Sequence, residues 1–283
     1  MTRSIMPALI INTRSGGGKA ARFDLIKQCA KRGIEPIILE PGADLAALAE
    51  TAIRNGADVV GMAGGDGSQA TVAAVAAERD VPFVCVPAGT RNHFAADLGI
   101  DRNDVVAALD GFDDGTERRI DVGRVNGRVF VNNVAMGVYG AVVESPAYRD
   151  HKMRTVIDML PQLVGRRANR FDLRFAGRYG TAHDSALLIL VSNNSYALDP
   201  RPQVGTRGTL DHGVLGVITL TGPPPHGLEE WSTPTFRVDS ATTVAVGIDG
   251  ESVAMSPPLM FESDRQALRV RLPVPTRVRS RRR

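Results

Sequence analysis

Near the end of the chain two carboxylates, Asp249 and Glu251, flank a single glycine. On a strand this spacing puts both on one face, where repulsion raises the proton affinity of one and suits it to act as a base. Glu251 is the candidate base and Asp249 its neighbour. An Asp-Gly pair also makes hairpin turns with solvated charges, so spacing alone leaves both readings open. A third candidate, Asp66, sits between glycines in Gly64-Gly65-Asp66-Gly67-Ser68. Two further glycine-rich stretches share its character: Asn12-Thr13-Arg14-Ser15-Gly16-Gly17-Gly18-Lys19 and Pro87-Ala88-Gly89-Thr90-Arg91-Asn92. Glycines let backbone N–H groups approach phosphate oxygens, and a helix N-terminus behind each loop adds a favourable dipole. A carboxylate such as Asp66 can hold a metal-bound water network or a ribose. The first stretch is not a Walker A loop, because Thr13 stands where its first glycine belongs and Ala20 where Ser or Thr must follow the lysine. Gly64 to Ser68 likewise fails the GxGxxG dinucleotide pattern.

The elements around these loops alternate. Short apolar runs at 8–12, 36–39, 59–62 and 81–86 read as buried strands, and helical stretches at 20–32, 44–56 and 68–77 separate them. This order predicts a parallel sheet covered on both faces, with ligands at the loops after the strand ends. After Asp121 the pattern changes. Asn126-Gly127 between two apolar runs is a strong type I′ hairpin signal. A helical stretch is expected at 149–167, and further strands at 171–176, 186–192, 214–220, 242–248 and 268–272. The expected architecture is α/β plus all-β. A doubly wound parallel nucleotide-binding domain occupies 1–121 and a mostly antiparallel β-sandwich substrate domain 122–283, with the active site in the cleft between them.

Composition narrows the classes. The 283 residues carry 34 Lys and Arg against 31 Asp and Glu, a net charge of +3. Arg277, Arg279, Arg281, Arg282 and Arg283 more than account for that excess, so the body gives no basis for nucleic-acid binding. The basic tail at 275–283 reads as a solvated run or as an attraction to anionic lipid. Apolar residues make up 43%, without an uncharged apolar run long enough to span a bilayer. The opening Met1 to Pro7 does not read as a signal peptide. Two cysteines, Cys29 and Cys85, are too few for a disulfide framework and fit a reducing cytoplasmic setting. On the 149–167 stretch, Arg149, Lys152 and Arg154 suit a lipid head group or a solvated face, and its apolar residues suit core packing or a lipid-contacting lip.

Taken together, five blocks in order resemble the diacylglycerol kinase catalytic-domain family, in its bacterial branch related to sphingosine kinases. They are Asn12 with Ser15-Gly16, Gly64 to Ser68 (Ser where the family has Thr), Pro87 to Ala95, Asp121-Val122-Gly123 followed by Phe130-Val131-Asn132, and Asp249-Gly250-Glu251. The resemblance implies a Mg²⁺-dependent kinase that moves the ATP γ-phosphate to a lipid hydroxyl, such as that of diacylglycerol, at a membrane surface. ATP is expected on Asn12, Ser15, Gly16, Gly17, Gly64, Gly65, Gly67, Ser68, Thr90 and Asn92. Magnesium is expected near Asp66, Asp121 and Asp211, and catalysis at Glu251, Asp249 and Asp66. His212 replaces the second acidic residue of the family's Leu-Asp-Asp-Gly segment, which weakens the expected metal site. Peripheral contact at the inner membrane face and homodimerisation through an exposed sheet edge are further expectations. A kinase of a polar acceptor, NAD kinase-like, and a non-catalytic nucleotide or lipid sensor are the alternatives.

Overall fold

A computed structural model describes residues 6–113, 115–138, 170–196, 207–223 and 226–274. The 149–167 stretch and the basic tail lie outside the described residues. The chain divides into two units. The first holds the residues up to Arg119 together with those from Leu268 onward; the second is Ile120–Ala267.

The first unit is built on β1 (Pro7–Ile11), β2 (Glu35–Ile38), β3 (Val59–Ala63) and β4 (Phe83–Val86). These pair in parallel in the order β2-β1-β3-β4. Every residue of β1, β3 and β4 is buried, as expected for strands covered on both faces. The helices are α1 (Lys19–Arg22), α2 (Leu25–Lys31), α3 (Leu45–Arg54), α4 (Asp66–Glu78) and α5 (His93–Asp97). The Asp44 side chain caps α3 by accepting from the Ala47 N–H at 3.1 Å. The single helix expected at 20–32 is broken, because Asp24 adopts a left-handed φ of 53° between α1 and α2. From β1 the chain winds out to β2 on one side and to β3 on the other, so the order of strand addition reverses between β1 and β3, where ligand sites form in such sheets.

The boundary between units falls inside two long strands, β5 (Thr116–Val125) and the last strand of the chain. The second unit continues with β6 (Arg128–Phe130), β7 (Asn133–Gly137), β8 (Phe175–Ala176), β9 (Ala182–His183), β10 (Leu188–Asn193), β11 (Leu215–Leu220), β12 (Leu228–Thr233), β13 (Thr235–Val238), β14 (Val244–Ile248), β15 (Glu251–Met255) and β16 (Leu259–Leu272). The Asn126-Gly127 turn forms as expected, with φ of 47° and 82°, and Val125 faces Arg128. One antiparallel sheet runs β12-β11-β10-β7-β14-β15. Across the core, Phe130, Phe236, Val238, Leu259 and Phe261 pack against Val134, Met136, Ile189, Val217 and Val246 of that sheet. This is a β-sandwich.

The second domain was expected to run through to residue 283. Instead β16 returns its end to the first unit, where Val270 pairs in parallel with Phe83 and both are fully buried.

Candidate active site

The three glycine-rich loops leave the carboxyl ends of β1, β3 and β4, three neighbouring strands. In the first loop the Arg14 N–H donates to Asn12 Oδ1 at 3.1 Å, and the Asn12 N–H donates to the Ala63 carbonyl at 2.9 Å. Gly16, Gly17 and Gly18 then take φ of 56°, 66° and 81° in succession. Such a run is open to glycine and strained for other residues. The second loop passes directly into α4, whose first intrahelical bond is Gln69 N–H to the Gly65 carbonyl. The amides of Gly67 and Ser68 thus precede the helix ladder at its positive end, where an anionic ligand is favoured. Asp66 was read as a loop residue; it is the first residue of α4.

The loops touch one another through their glycines. A Cβ on Gly16 would collide with the Ala88 carbonyl oxygen, and one on Gly89 would collide with Gly65 Cα and come within 2.7 Å of Asn92 Oδ1. Gly16, against the Ala88 carbonyl, and Gly89, against Gly65, therefore let three loops close into one cradle, whereas a Cβ on Gly17 or Gly18 would meet open space. Polar side chains lock this arrangement. Asp66, only 5% exposed, accepts from the Phe94 N–H at 3.0 Å and so ties α4 to the start of α5. Burial, with the Asp66 charge beside it, holds the Cys85 thiol well above its usual range. The Gln69 amide donates to the carbonyls of Met62 and Val86, both at 2.8 Å, and joins the ends of β3 and β4. Asn92 spends its side chain within its own loop, accepting from the Gly89 N–H at 2.9 Å and donating to the carbonyls of Pro87 and Gly89. Its buried amide shapes the loop. Thr90 is exposed, and Asn12, Ser15 and Ser68 are half-buried around the cradle.

The second unit gathers the remaining acidic candidates. Asp249 and Glu251 do not share a strand face. Asp249-Gly250 is the two-residue turn between β14 and β15, with φ of 49° and 93°, and Ile248 pairs with Glu251 across it. Nor are both charges solvated. Asp249 is 8% exposed, and its carboxylate accepts the N–H groups of Val131, Asn132 and Asn133 at 2.9, 2.8 and 3.0 Å. Burial pushes this carboxyl above its ordinary range, while the three amides and the Arg207 charge oppose that shift. Glu251 is more than half exposed and meets Arg128 at 3.2 Å.

Asp121 is fully buried. Its Oδ1 accepts from the Gln266 N–H at 2.9 Å, and Oδ2 from the Gly213 N–H at 2.6 Å and Asn194 Nδ2 at 3.3 Å. Oxygens surrounded by N–H donors do not fit direct cation ligation, so the geometry makes Asp121 an organiser of the 210–213 segment. Asp211 and His212 are exposed on that segment. Among the described residues no three His, Cys, Asp or Glu side chains gather as a metal cage.

Sequence reading missed Gln69, Asn193, Asn194 and Arg207. A buried arginine with 4% exposure, Arg207 bonds the carbonyls of Val131 and Asn193. An isolated arginine in a polar stretch carries no local signal. The Asn193-Asn194 pair directly after an apolar strand was the one available cue.

Three glycine loops that close on one another at the ends of adjacent parallel strands define an α/β domain of a kind suited to phosphate ligands. Residues 7–125 match the diacylglycerol kinase catalytic domain. A Mycobacterium tuberculosis protein named diacylglycerol kinase is 31% identical over 199 residues, 66% of this chain and 64% of the relative. The chain thus spans a little under two thirds of that relative's length. A Pseudomonas aeruginosa protein named "Probable lipid kinase YegS-like" is 28% identical, covering 94% of this chain and 93% of its own. A crystal structure named as a diacylglycerol kinase from Bacillus anthracis superposes with a TM-score of 0.66 at 17% identity, covering 97% of this chain and 99% of that one. At that identity it speaks for the fold.

Proposed function

We propose that the protein is an ATP-dependent lipid kinase that transfers the γ-phosphoryl group to a lipid hydroxyl, with diacylglycerol as the leading acceptor. The observation that carries this reading is the closure of three glycine loops at Gly16, Gly65 and Gly89 at the ends of adjacent strands. The match of residues 7–125 to the diacylglycerol kinase catalytic domain supports the same chemistry.

Phosphoryl transfer depends on positioning and on neutralising charge. Amides at Gly16, Gly17 and the start of α4 are suited to hold phosphate oxygens, with the α4 dipole adding to the attraction. Asp66 fixes α4 against α5 and so fixes the amides that α4 presents. Magnesium, when bound with ATP, would add charge neutralisation, and in the first unit Asp66 at the head of α4 is the carboxylate that would hold it. In the transfer the acceptor oxygen bonds to the γ-phosphorus, the bond to the β–γ bridging oxygen breaks, and ADP leaves. The acceptor proton goes to Glu251, an exposed carboxylate at the mouth of a rigid turn. Anionic lipid at a membrane surface is the proposed partner, met by the arginine tail.

The test is ATP-dependent labelling of diacylglycerol in mixed micelles. Labelling that is lost in Asp66→Ala supports the reading. ATP binding without a labelled lipid would favour a polar acceptor or a nucleotide sensor.

A further inference from the structure

The loop at 131–133, between β6 and β7, is held by opposite charges on its two sides. Its amides point to the Asp249 carboxylate, at 2.8 to 3.0 Å. Its outward polar atoms meet Arg207, whose Nη1 donates to the Val131 carbonyl at 2.5 Å and to the Asn193 carbonyl at 2.9 Å, while Nη2 donates to Asn132 Oδ1 at 3.2 Å. Val131 thus offers its N–H to an anion and its C=O to a cation. The guanidinium also lies over the Tyr196 ring, 5.9 Å from its centre, and the Tyr196 hydroxyl accepts from Asn133 Nδ2 at 3.1 Å. The Asp249 N–H closes the arrangement by donating to the Asn133 carbonyl at 2.9 Å.

The charges around Asp249 are few. The loop contributes amides, and the neighbouring Glu251 turns its side chain to Arg128. Among the described residues Arg207 is the charged group whose field acts on Asp249. A guanidinium stays protonated in any protein environment, so its burial is tolerated only among acceptors and an opposing charge.

We infer that Arg207 is a positioning residue. It clamps the 131–133 loop that Asp249 holds by its amides, sets a buried positive charge against that loop, and through Asp249 fixes the turn that presents Glu251. The link to Glu251 rests on the proposed kinase reading; the electrostatic assignment does not.

The sign of the pH effect follows from the raised proton affinity of Asp249. The folded state binds this proton more readily than the unfolded chain. Its stabilising contribution is therefore complete below the ordinary carboxylate range and is lost as pH rises through the folded value. Removing Arg207 moves that folded value further up, so its absence costs more stability at neutral than at acid pH.

The experiment is a double-mutant cycle of Arg207→Met and Asp249→Asn in the full chain, by denaturant unfolding at pH 4.5 and pH 7. Arg207→Met is expected to shift the unfolding equilibrium further toward the unfolded chain at pH 7 than at pH 4.5. In the Asp249→Asn background that extra cost should vanish. If Arg207→Met does not fold at neutral pH, adding Asp249→Asn should restore folding. A pH-independent cost, or no relief from Asp249→Asn, overturns the assignment. Arg207→Lys, which keeps the charge without the fork, should keep the pH dependence near wild type and lower kcat for lipid phosphorylation with ATP affinity unchanged. Coupling in the stability cycle with unchanged kcat in Arg207→Lys would overturn the link to Glu251 alone.

Discussion

Asp66 and Glu251 take different places in the chemistry, and substitution should separate them. Asp66 is buried at the head of α4 and bonds the Phe94 amide, so Asp66→Ala removes both a charge at the cradle and a tie between two helices. It is expected to abolish transfer and to cost about 1–3 kcal/mol of stability, since the Phe94 N–H is left buried without that partner. Glu251→Gln touches an exposed side chain. It should leave unfolding unchanged and lower turnover at least about a hundredfold, the usual scale for a lost general base. Turnover and denaturant unfolding of both variants check this; near-normal turnover in either would remove that residue's role. The types of these residues were legible in sequence, but their surroundings were not. Asp249-Gly250-Glu251 looked equally like a catalytic pair on a strand face or a solvated turn. The observed turn with a buried Asp249 differs from both, because its amide donors come from residues 131–133, more than a hundred positions away.

Strands and loops of the first unit were readable because β1, β3 and β4 are buried throughout, and a parallel strand covered on both faces writes itself as an apolar run. Strands β12, β13 and β15 were not, since Glu229, Glu230, Arg237 and Glu251 interrupt their apolar residues. The position of each glycine loop was legible, but not which glycine each neighbour requires. That gives a contrast between adjacent residues. Gly17→Ala meets open space and incurs the left-handed strain alone, about 1–2 kcal/mol. Gly16→Ala incurs the same strain and also collides with the Ala88 carbonyl, a backbone atom that moves only if the whole loop moves. Gly16→Ala should therefore weaken ATP binding by at least about tenfold more than Gly17→Ala, as titration of each variant would read. Equal losses would mean that contact between the loops does not shape the cradle.

At the scale of the whole molecule, the sequence pattern changes near Asp121, and the leading segment of the first unit ends at Arg119. The return of the chain was hidden, because a strand at 268–272 reads the same whichever sheet receives it. Leu268 and Val270 are buried in the first unit, and Arg269 makes a two-pronged pair with Glu117 at 2.7 and 3.0 Å. Ending the chain before Leu268 should therefore unfold the first unit. Ending it after Val274 should leave thermal unfolding unchanged and weaken binding to anionic vesicles, at about 1 kcal/mol for each arginine near the lipid. Unchanged vesicle binding in the second truncation would end the role given to the tail. The central claim is transfer of the ATP γ-phosphoryl group to a lipid hydroxyl through the glycine-loop cradle. Its most direct test is γ-labelled ATP with Mg²⁺ and a panel of lipid alcohols in mixed micelles, run with the wild-type chain and with Asp66→Ala. The account predicts labelled phosphatidic acid from diacylglycerol with the wild type and none with the variant. ATP bound tightly with every lipid left unlabelled, or label that persists in Asp66→Ala, would contradict it.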